Sequence, residues 1–181
     1  MLKAICSGKE LSSTRYYDCI SDIILCPELD RLKGITHHIC TTRFQHSLNV
    51  SYYSYVVCRK LRLDARAAAR AGLLHDLFFY DRKHYNASRS KDQPSHSSMH
   101  AAVALRNACS VTSISELERD IIAKHMWPVT RPLPKYPETY VITVIDKYCA
   151  LLEFCVPQIK KVSPARILEL IGILQVRRNE E

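Results

Sequence analysis

The stretch AAARAGLLHDLFF, residues 67–79, decides the fold of this chain. Its small residues recur at helical spacing and share one face with a histidine; they are Ala68, Ala71, Gly72 and His75. Small side chains allow a second helix to approach closely. Asp64 can cap this segment, so we predict a helix over about residues 65–77 that ends in the adjacent pair His75-Asp76.

Further candidate metal ligands lie in other predicted helices, each on the apolar side. The spacing predicts helices over about residues 43–62, 95–109 and 138–154. A capping box of Ser115 and Glu118 opens one more helix, SELERDIIAKH. The polar residues on the apolar sides of these four helices are His46, His100, His125 and Asp146. Histidines and aspartates from five helices are therefore predicted to face one core.

The rest of the chain also favours a helical fold. A first helix is expected over about 14–25, a short helical turn in PELDRLKG, and a last helix from Ser163-Pro164, with proline at its first position. Residues 78–94 have no period and are predicted to be a loop that acts as a lid. We predict an all-α fold, a single compact bundle of about six to eight helices over 1–181. Its core spans about 40–155, with 1–39 and 156–181 packing on it.

Composition limits the functional classes. The 181 residues are 47% hydrophobic with a net charge of +8 and a pI near 9.1, which suits a globular domain with an anionic partner. The eight cysteines form no C-x-x-C pair and are interpreted as small buried hydrophobes in a reducing compartment. No signal peptide or membrane span is recognisable, so we expect a soluble, cytoplasmic protein.

Buried carboxylates point to a metal. Asp146 stands at an apolar-stripe position, where an unpaired charge would cost several kcal/mol or more. A divalent cation removes that penalty, and neutral imidazoles are good ligands for such ions. The six candidate ligands are His46, His75, Asp76, His100, His125 and Asp146. They suit one octahedral ion or two ions, with Asp76 bridging.

Three further residues are candidates for contact with a substrate. Arg43, one turn before His46, could bind a phosphate in bidentate fashion or anchor a carboxylate. His96, one turn before His100, could reach the site as a proton donor or phosphate ligand. Lys147, next to Asp146, could reach a phosphate at the cavity mouth. His37 and His38 precede the first ligand helix without a matching partner and are not assigned.

The order H…HD…H…H…D resembles the HD superfamily of metal-dependent phosphohydrolases. The resemblance covers about residues 40–155 and is carried by R-x-x-H at Arg43–His46, HD at 75–76 and the helical Asp146. It implies that His46, His75, Asp76 and Asp146 are the defining metal ligands. The extra pair His100 and His125 resembles the second-metal ligands of two-metal members. The chain also looks like small stand-alone bacterial members.

The resemblance implies a metal-dependent phosphohydrolase, a phosphomonoesterase or phosphodiesterase acting on a nucleotide or another small phosphate ester. Asp76 and Lys147 are the predicted catalytic residues. Two divalent ions are expected, drawn from Fe, Mn, Zn, Ni or Mg; two ions about 3.5–4 Å apart could clamp a phosphoryl oxygen and activate water. No G-Y-P motif follows, which argues against a cyclic-dinucleotide phosphodiesterase.

Two alternatives remain open at this point: a di-iron oxygenase of the HD type, and a non-catalytic metal-containing sensor or binding module. The expected partner is a small phosphorylated substrate. No membrane partner is expected. Nucleic acid is disfavoured, since only the net charge supports it, and the sequence is compatible with an oligomer.

Overall fold

The computed structural model describes residues 1–37, 41–90 and 92–161, and this part of the chain is mostly helical with almost no strand. The predicted all-α class is confirmed. The helices are α1 (Arg15–Ile20), α2 (Pro27–Arg31), α3 (Arg43–Leu61), α4 (Ala65–Leu74), α5 (Arg82–Ser88), α6 (His96–Val111), α7 (Glu116–Lys124) and α8 (Pro137–Lys161). Two short strands, β1 (Thr36–His37) and β2 (Thr41–Thr42), pair antiparallel ahead of α3.

Helices α3 and α4 form the centre of the bundle. Thr42 caps α3 by accepting from the Gln45 amide, and Arg62 ends it in the left-handed conformation (φ 59°). The predicted close approach of a second helix is confirmed at Gly72. A Cβ atom placed there would lie 2.8 Å from the Cα of Ser51 on α3. Only glycine permits this contact, which brings the two helix backbones together.

The remaining helices enclose one apolar core around α3 and α4. Helix α8 packs on α3, α7 and α4, while α6 packs on α7 and α4. The core includes Leu48, Leu73, Leu74, Ile121 and Ile142, all almost fully buried. Each such side chain stabilises the fold by about 1.5–3 kcal/mol.

Local signals located most helices correctly. Ser115 and Glu118 form the predicted capping box of α7. The first helix is shorter than predicted, because regular α-structure there covers Arg15–Ile20 alone. The prediction of a structureless loop over 78–94 is wrong in part, because it contains α5. Asp81 caps that helix by accepting from the His84 amide at 2.7 Å. Its residues are largely exposed, which explains the missing apolar period.

Several predictions fall outside the described residues or need correction. The last predicted helix, from Ser163-Pro164, lies outside them, and so does His38. Cys58 and Cys149 are buried as predicted, whereas Cys6 and Cys109 are exposed, contrary to the interpretation of the cysteines as buried hydrophobes. None of the helices in the described part of the chain is long and apolar enough to cross a membrane.

Candidate metal centre

Two of the candidate ligands lie where helices end. His75 is the C-terminal cap of α4 and His125 that of α7. Each donates through Nδ1 to a carbonyl three residues earlier, Gly72 O at 2.8 Å and Ile122 O at 2.9 Å. In a neutral ring that donates from Nδ1, Nε2 carries the lone pair. The C-terminal ends of two helix dipoles also favour a cation between them.

The other two histidines are also oriented by hydrogen-bond acceptors. The acceptor for His46 is distant in sequence, and the acceptor for His100 is one turn away in the same helix. The Nδ1 atom of His46 lies 3.1 Å from both carboxylate oxygens of Glu153, more than one hundred residues later in the chain. Asn49 donates to the same carboxylate at 2.7 Å. His100 uses Nδ1 to donate to the carbonyl of His96 at 3.0 Å. All four imidazoles thus direct Nε2 toward the centre.

Two aspartates occupy the middle of this arrangement. Asp146 Oδ1 lies 3.0 Å from His46 Nε2 and 3.8 Å from His75 Nε2. Asp76 Oδ1 lies 3.5 Å from His100 Nε2 and 3.8 Å from His125 Nε2. Asp76 Oδ2 lies 3.9 Å from His75 Nε2. The structure therefore brings all six predicted ligands together, with Asp76 between His75 and the His100–His125 pair.

The electrostatics of the cluster are uneven. Burial by itself raises the pKa of Asp76, but His75, His100 and His125 hold it below its usual range. Burial disfavours the charged form of His46, yet the carboxylates of Asp146 and Glu153 raise its pKa to about 10. Burial and the neighbouring His75 and His100 lower the pKa of His125 to about 3. Both aspartates are thus held in their charged form beside the imidazoles, an arrangement that suits a bound cation.

The donor set fits a divalent metal on two observations. The Nε2 of His75 is buried and has no hydrogen-bond partner within the described part of the chain. The Nε2 atoms of His100 and His125 face each other at 2.9 Å, although both rings already donate through Nδ1. Two lone pairs at that separation repel unless a cation or a proton lies between them. His46, His75 and Asp146 offer ligand atoms within 4.8 Å of one another, and so do His75, Asp76 and His125.

An open cleft of about 180 Å³ leads to the cluster. Asp76, His100, His125 and Asp146 are among its lining residues, and so are the cationic side chains of Arg82 and Lys147. Lys147 is about half exposed and pairs with Asp146. The predicted position of Lys147 at the cavity mouth agrees with this geometry, and the cleft is open to solvent rather than closed around the ligands.

Arg43 does not occupy the position predicted for a substrate contact. Its side chain is buried and donates to the carbonyls of Phe78 at 2.5 Å and Tyr80 at 3.4 Å. Its guanidinium also lies 3.6 Å from the ring centre of Phe78. Both terminal nitrogens are therefore used to hold the segment that follows His75-Asp76. These contacts favour a structural role for Arg43, which orders the chain behind the cluster.

His96 lies at the edge of the cleft, stacked on His100 with ring centres 4.6 Å apart. Its Nδ1 is 3.0 Å from the Tyr80 hydroxyl. Burial, with His100 and Arg82 nearby, lowers its pKa to about 4, so the ring is neutral near pH 7. A neutral ring that accepts from Tyr80 at Nδ1 carries its proton on Nε2.

Two residues of the centre were missed from the sequence. His37, in β1, lines the cleft, and its ring centre lies 4.3 Å from that of His46. With His46 and Asp76 it forms a third group whose ligand atoms lie within 4.8 Å of one another. Glu153 orients His46 from α8. Its position two turns after Asp146, on the same helical face, was a signal that could have found it.

Helices that converge on a cleft lined with histidine and aspartate define a metal-binding helical domain. The family model described as HD domain matches residues 43–151, more than half of the chain. The chain belongs to the HD-domain family, whose members are generally metal-dependent hydrolases that bind divalent ions. Comparisons with curated proteins and with solved structures gave no match.

Proposed function

We propose that this protein hydrolyses a small phosphate ester, with a nucleotide as the leading substrate class, in a metal-dependent reaction. One observation carries the proposal: imidazole nitrogens and two carboxylates form the floor of an open cleft that also carries cationic side chains. The imidazole and carboxylate groups of the floor can bind metal ions, and the cationic side chains can bind phosphate oxygens. An oxygenase or a purely structural metal site would not require Arg82 and Lys147 beside the ligands.

The metal would be held by the six residues of the cluster, His46, His75, Asp76, His100, His125 and Asp146. Asp76 is placed to be shared, because its Oδ1 faces His100 and His125 while its Oδ2 faces His75. When bound, divalent ions supply Lewis-acid activation of the phosphoryl group and of water. His37 is proposed as an additional ligand on the His46 side.

The cationic side chains bind the phosphate and offset its charge. Lys147 is held at the mouth by Asp146, so its ammonium group can turn to a phosphate oxygen without losing its anchor. Arg82 begins α5 and lines the same cleft. In a reaction whose negative charge grows on phosphate oxygens, both would stabilise the transition state.

His96 is proposed as a substrate-binding hydrogen-bond donor. We assign the Tyr80 hydroxyl as the donor to Nδ1, which leaves the ring proton on Nε2. Its neutral state near pH 7 follows from the lowered pKa. The ring therefore donates to a phosphate or leaving-group oxygen and does not need to compete for a metal ion.

The cleft volume narrows the substrate class. About 180 Å³ is smaller than the roughly 300–1,000 Å³ typical of pockets that enclose a whole drug-sized ligand. A terminal phosphate and its nearest substituent fit inside, while the remainder of a nucleotide would extend outward past Arg82 and Lys147. A phosphomonoester therefore fits better than an internal diester.

The test is hydrolysis of a panel of nucleotides and small phosphate esters, supplemented in turn with Mn, Zn, Ni, Mg and anaerobic Fe. We expect metal-dependent release of phosphate that disappears in His75→Ala/Asp76→Ala. His84→Ala removes an exposed histidine of α5 and is the matched control, expected to keep full activity. Phosphate release that survives the double substitution, or iron-dependent oxygen uptake in place of hydrolysis, would overturn the proposal.

The role of His37 has its own test. We expect His37→Ala to weaken metal retention during dialysis, as measured by elemental analysis, while the fold stays intact by circular dichroism. Unchanged metal content and affinity in His37→Ala would exclude it as a ligand without affecting the rest of the site.

A further inference from the structure

A second cavity lies between the N-terminal segment, α1 and α3, away from the metal cleft. It encloses about 280 Å³ and shares no lining residue with the cleft. Its lining residues are Lys9, Thr14, Arg15, Tyr16, Tyr52, Tyr55, Val56, Arg59 and Lys60. Arg59 follows His46 along α3 by roughly 20 Å, at a rise of 1.5 Å per residue. Anything bound there would not contact the metal ligands.

The described lining of this cavity is positively charged. Of the lining residues that the structure describes, four are cationic and none is a carboxylate. Some surface cations elsewhere have acidic partners, as in Lys33–Asp30, Arg119–Glu116 and Lys124–Asp120. Within the described ranges, the four cations of the cavity have no salt bridge; Arg59 donates to the Tyr55 hydroxyl at 3.5 Å. Their mutual repulsion would be relieved by a bound anion.

Aromatic rings form the inner wall. Tyr16 is almost fully buried, and its hydroxyl donates to Ser51 Oγ at 2.8 Å, which fixes the ring. Tyr52 and Tyr55 contact it edge to face, with ring centres 5.4 and 5.5 Å away. These two tyrosines lie one turn apart on α3 and are positioned by the same packing. A fixed aromatic wall beside a cationic rim suits a flat ring that carries phosphate.

We propose that this cavity is a second binding site for a small phosphorylated aromatic molecule of the mononucleotide class. The cations contact the phosphate, and Tyr52, held in place by the buried rings of Tyr16 and Tyr55, contacts the base. The concave shape and the volume, near the lower end of the usual range for ligand pockets, favour one nucleotide over an extended strand. The site does not depend on the metal centre and does not rest on the proposed hydrolysis.

The experiment measures binding of ADP, adenosine and inorganic pyrophosphate by titration calorimetry. Asp76→Asn and chelator-treated wild-type protein are both used, because binding that persists without the metal and depends on Arg15 and Arg59 reports the second site. We expect one ADP per chain, bound more tightly than either adenosine or pyrophosphate. Arg15→Gln/Arg59→Gln should lower the affinity for ADP at least tenfold. Tyr52→Leu should lower the affinity for ADP and for adenosine but leave the affinity for pyrophosphate unchanged.

The matched control is Arg106→Gln/Arg131→Gln, which removes the same charge from exposed arginines outside the cavity. Equal weakening by both double variants would show bulk charge attraction and overturn the proposal. It would also be overturned if neither metal-free protein bound ADP, or if an oligothymidylate bound with the same dependence on Arg15 and Arg59 while ADP did not. If the wild-type protein binds ADP at this cavity but hydrolyses none of the phosphate esters, only the proposed function is overturned.

Discussion

Two buried polar clusters in this protein differ in how completely they are satisfied. In the first, Arg70 on α4 donates to Glu118 at 2.7 Å, to Asp22 at 2.6 Å and to Thr112 at 3.1 Å. The second is the histidine–aspartate cluster, where His75 Nε2 has no described partner and two acceptor nitrogens face each other at 2.9 Å.

This difference indicates that the Arg70 cluster stabilises the fold, whereas the histidine–aspartate cluster is suited to binding a ligand. A buried charge whose hydrogen-bonding groups are used within the chain stabilises one conformation. A buried donor set left incomplete requires something from outside the chain, because unsatisfied buried polar groups are costly. The Arg70 cluster connects α4, α7 and the segment after α1, whereas the histidine–aspartate cluster leaves ligand atoms that could hold a cation.

The largest expected effect is on the incomplete cluster. Asp76→Asn removes the negative charge that faces three imidazoles, and we expect loss of bound metal and of hydrolysis. Elemental analysis and a phosphate-release assay measure the two effects. Mutation of a residue that only orients a metal ligand lowers metal affinity about 10–100-fold. Loss of a direct ligand should therefore lower it further. Full metal content in Asp76→Asn would show that it is not a ligand.

The complete cluster should respond in stability rather than in chemistry. Arg70→Met leaves the carboxylate of Glu118 buried without its main partner, and we expect about 3–5 kcal/mol of destabilisation in urea unfolding. Arg70→Met/Glu118→Gln should recover part of that loss. Arg119→Met breaks an exposed pair on α7 and should cost at most about 1 kcal/mol. Equal effects of Arg70→Met and Arg119→Met would contradict the comparison.

A residue that supports the metal centre from behind should give an intermediate effect. Glu153→Gln keeps the size of the side chain but removes the negative charge that holds Nδ1 of His46. We expect metal affinity to fall about 10–100-fold with little change in unfolding free energy. Glu116→Gln, at an exposed position, is the control. A stability loss in Glu153→Gln without a change in metal affinity would assign it to structure.

The smallest expected effect concerns the contact between α3 and α4, the helix that His75, a candidate metal ligand, caps. Gly72→Ala adds a Cβ 2.8 Å from Ser51 Cα, and we expect a net loss of about 1–2 kcal/mol after the gain in helix propensity. Gly34→Ala meets no atom within 4 Å and should stay within about 0.5 kcal/mol. Thermal unfolding of both variants measures the difference, and stabilisation by Gly72→Ala would argue against the close α3–α4 contact.

Much of the fold could be predicted because the relevant signals are local. The apolar period placed α3 and α6 within about two residues of their observed ends, and the capping box placed the start of α7. Helix α5 was missed because an exposed helix has no apolar stripe. His37 was missed because it lies in a strand pair of two residues each, too short to show a period.

Sequence by itself determined which helices carry the histidines and aspartates, since helix period and caps depend on neighbours within a few residues. Tertiary structure alone decided that Glu153 orients His46, that Arg43 binds the carbonyl of Phe78 instead of a substrate, and that His37 joins the cleft. It also decided that tyrosines and cations from separate segments enclose a second cavity. Each of these contacts joins residues far apart in the chain, so only the packing of the helices establishes them.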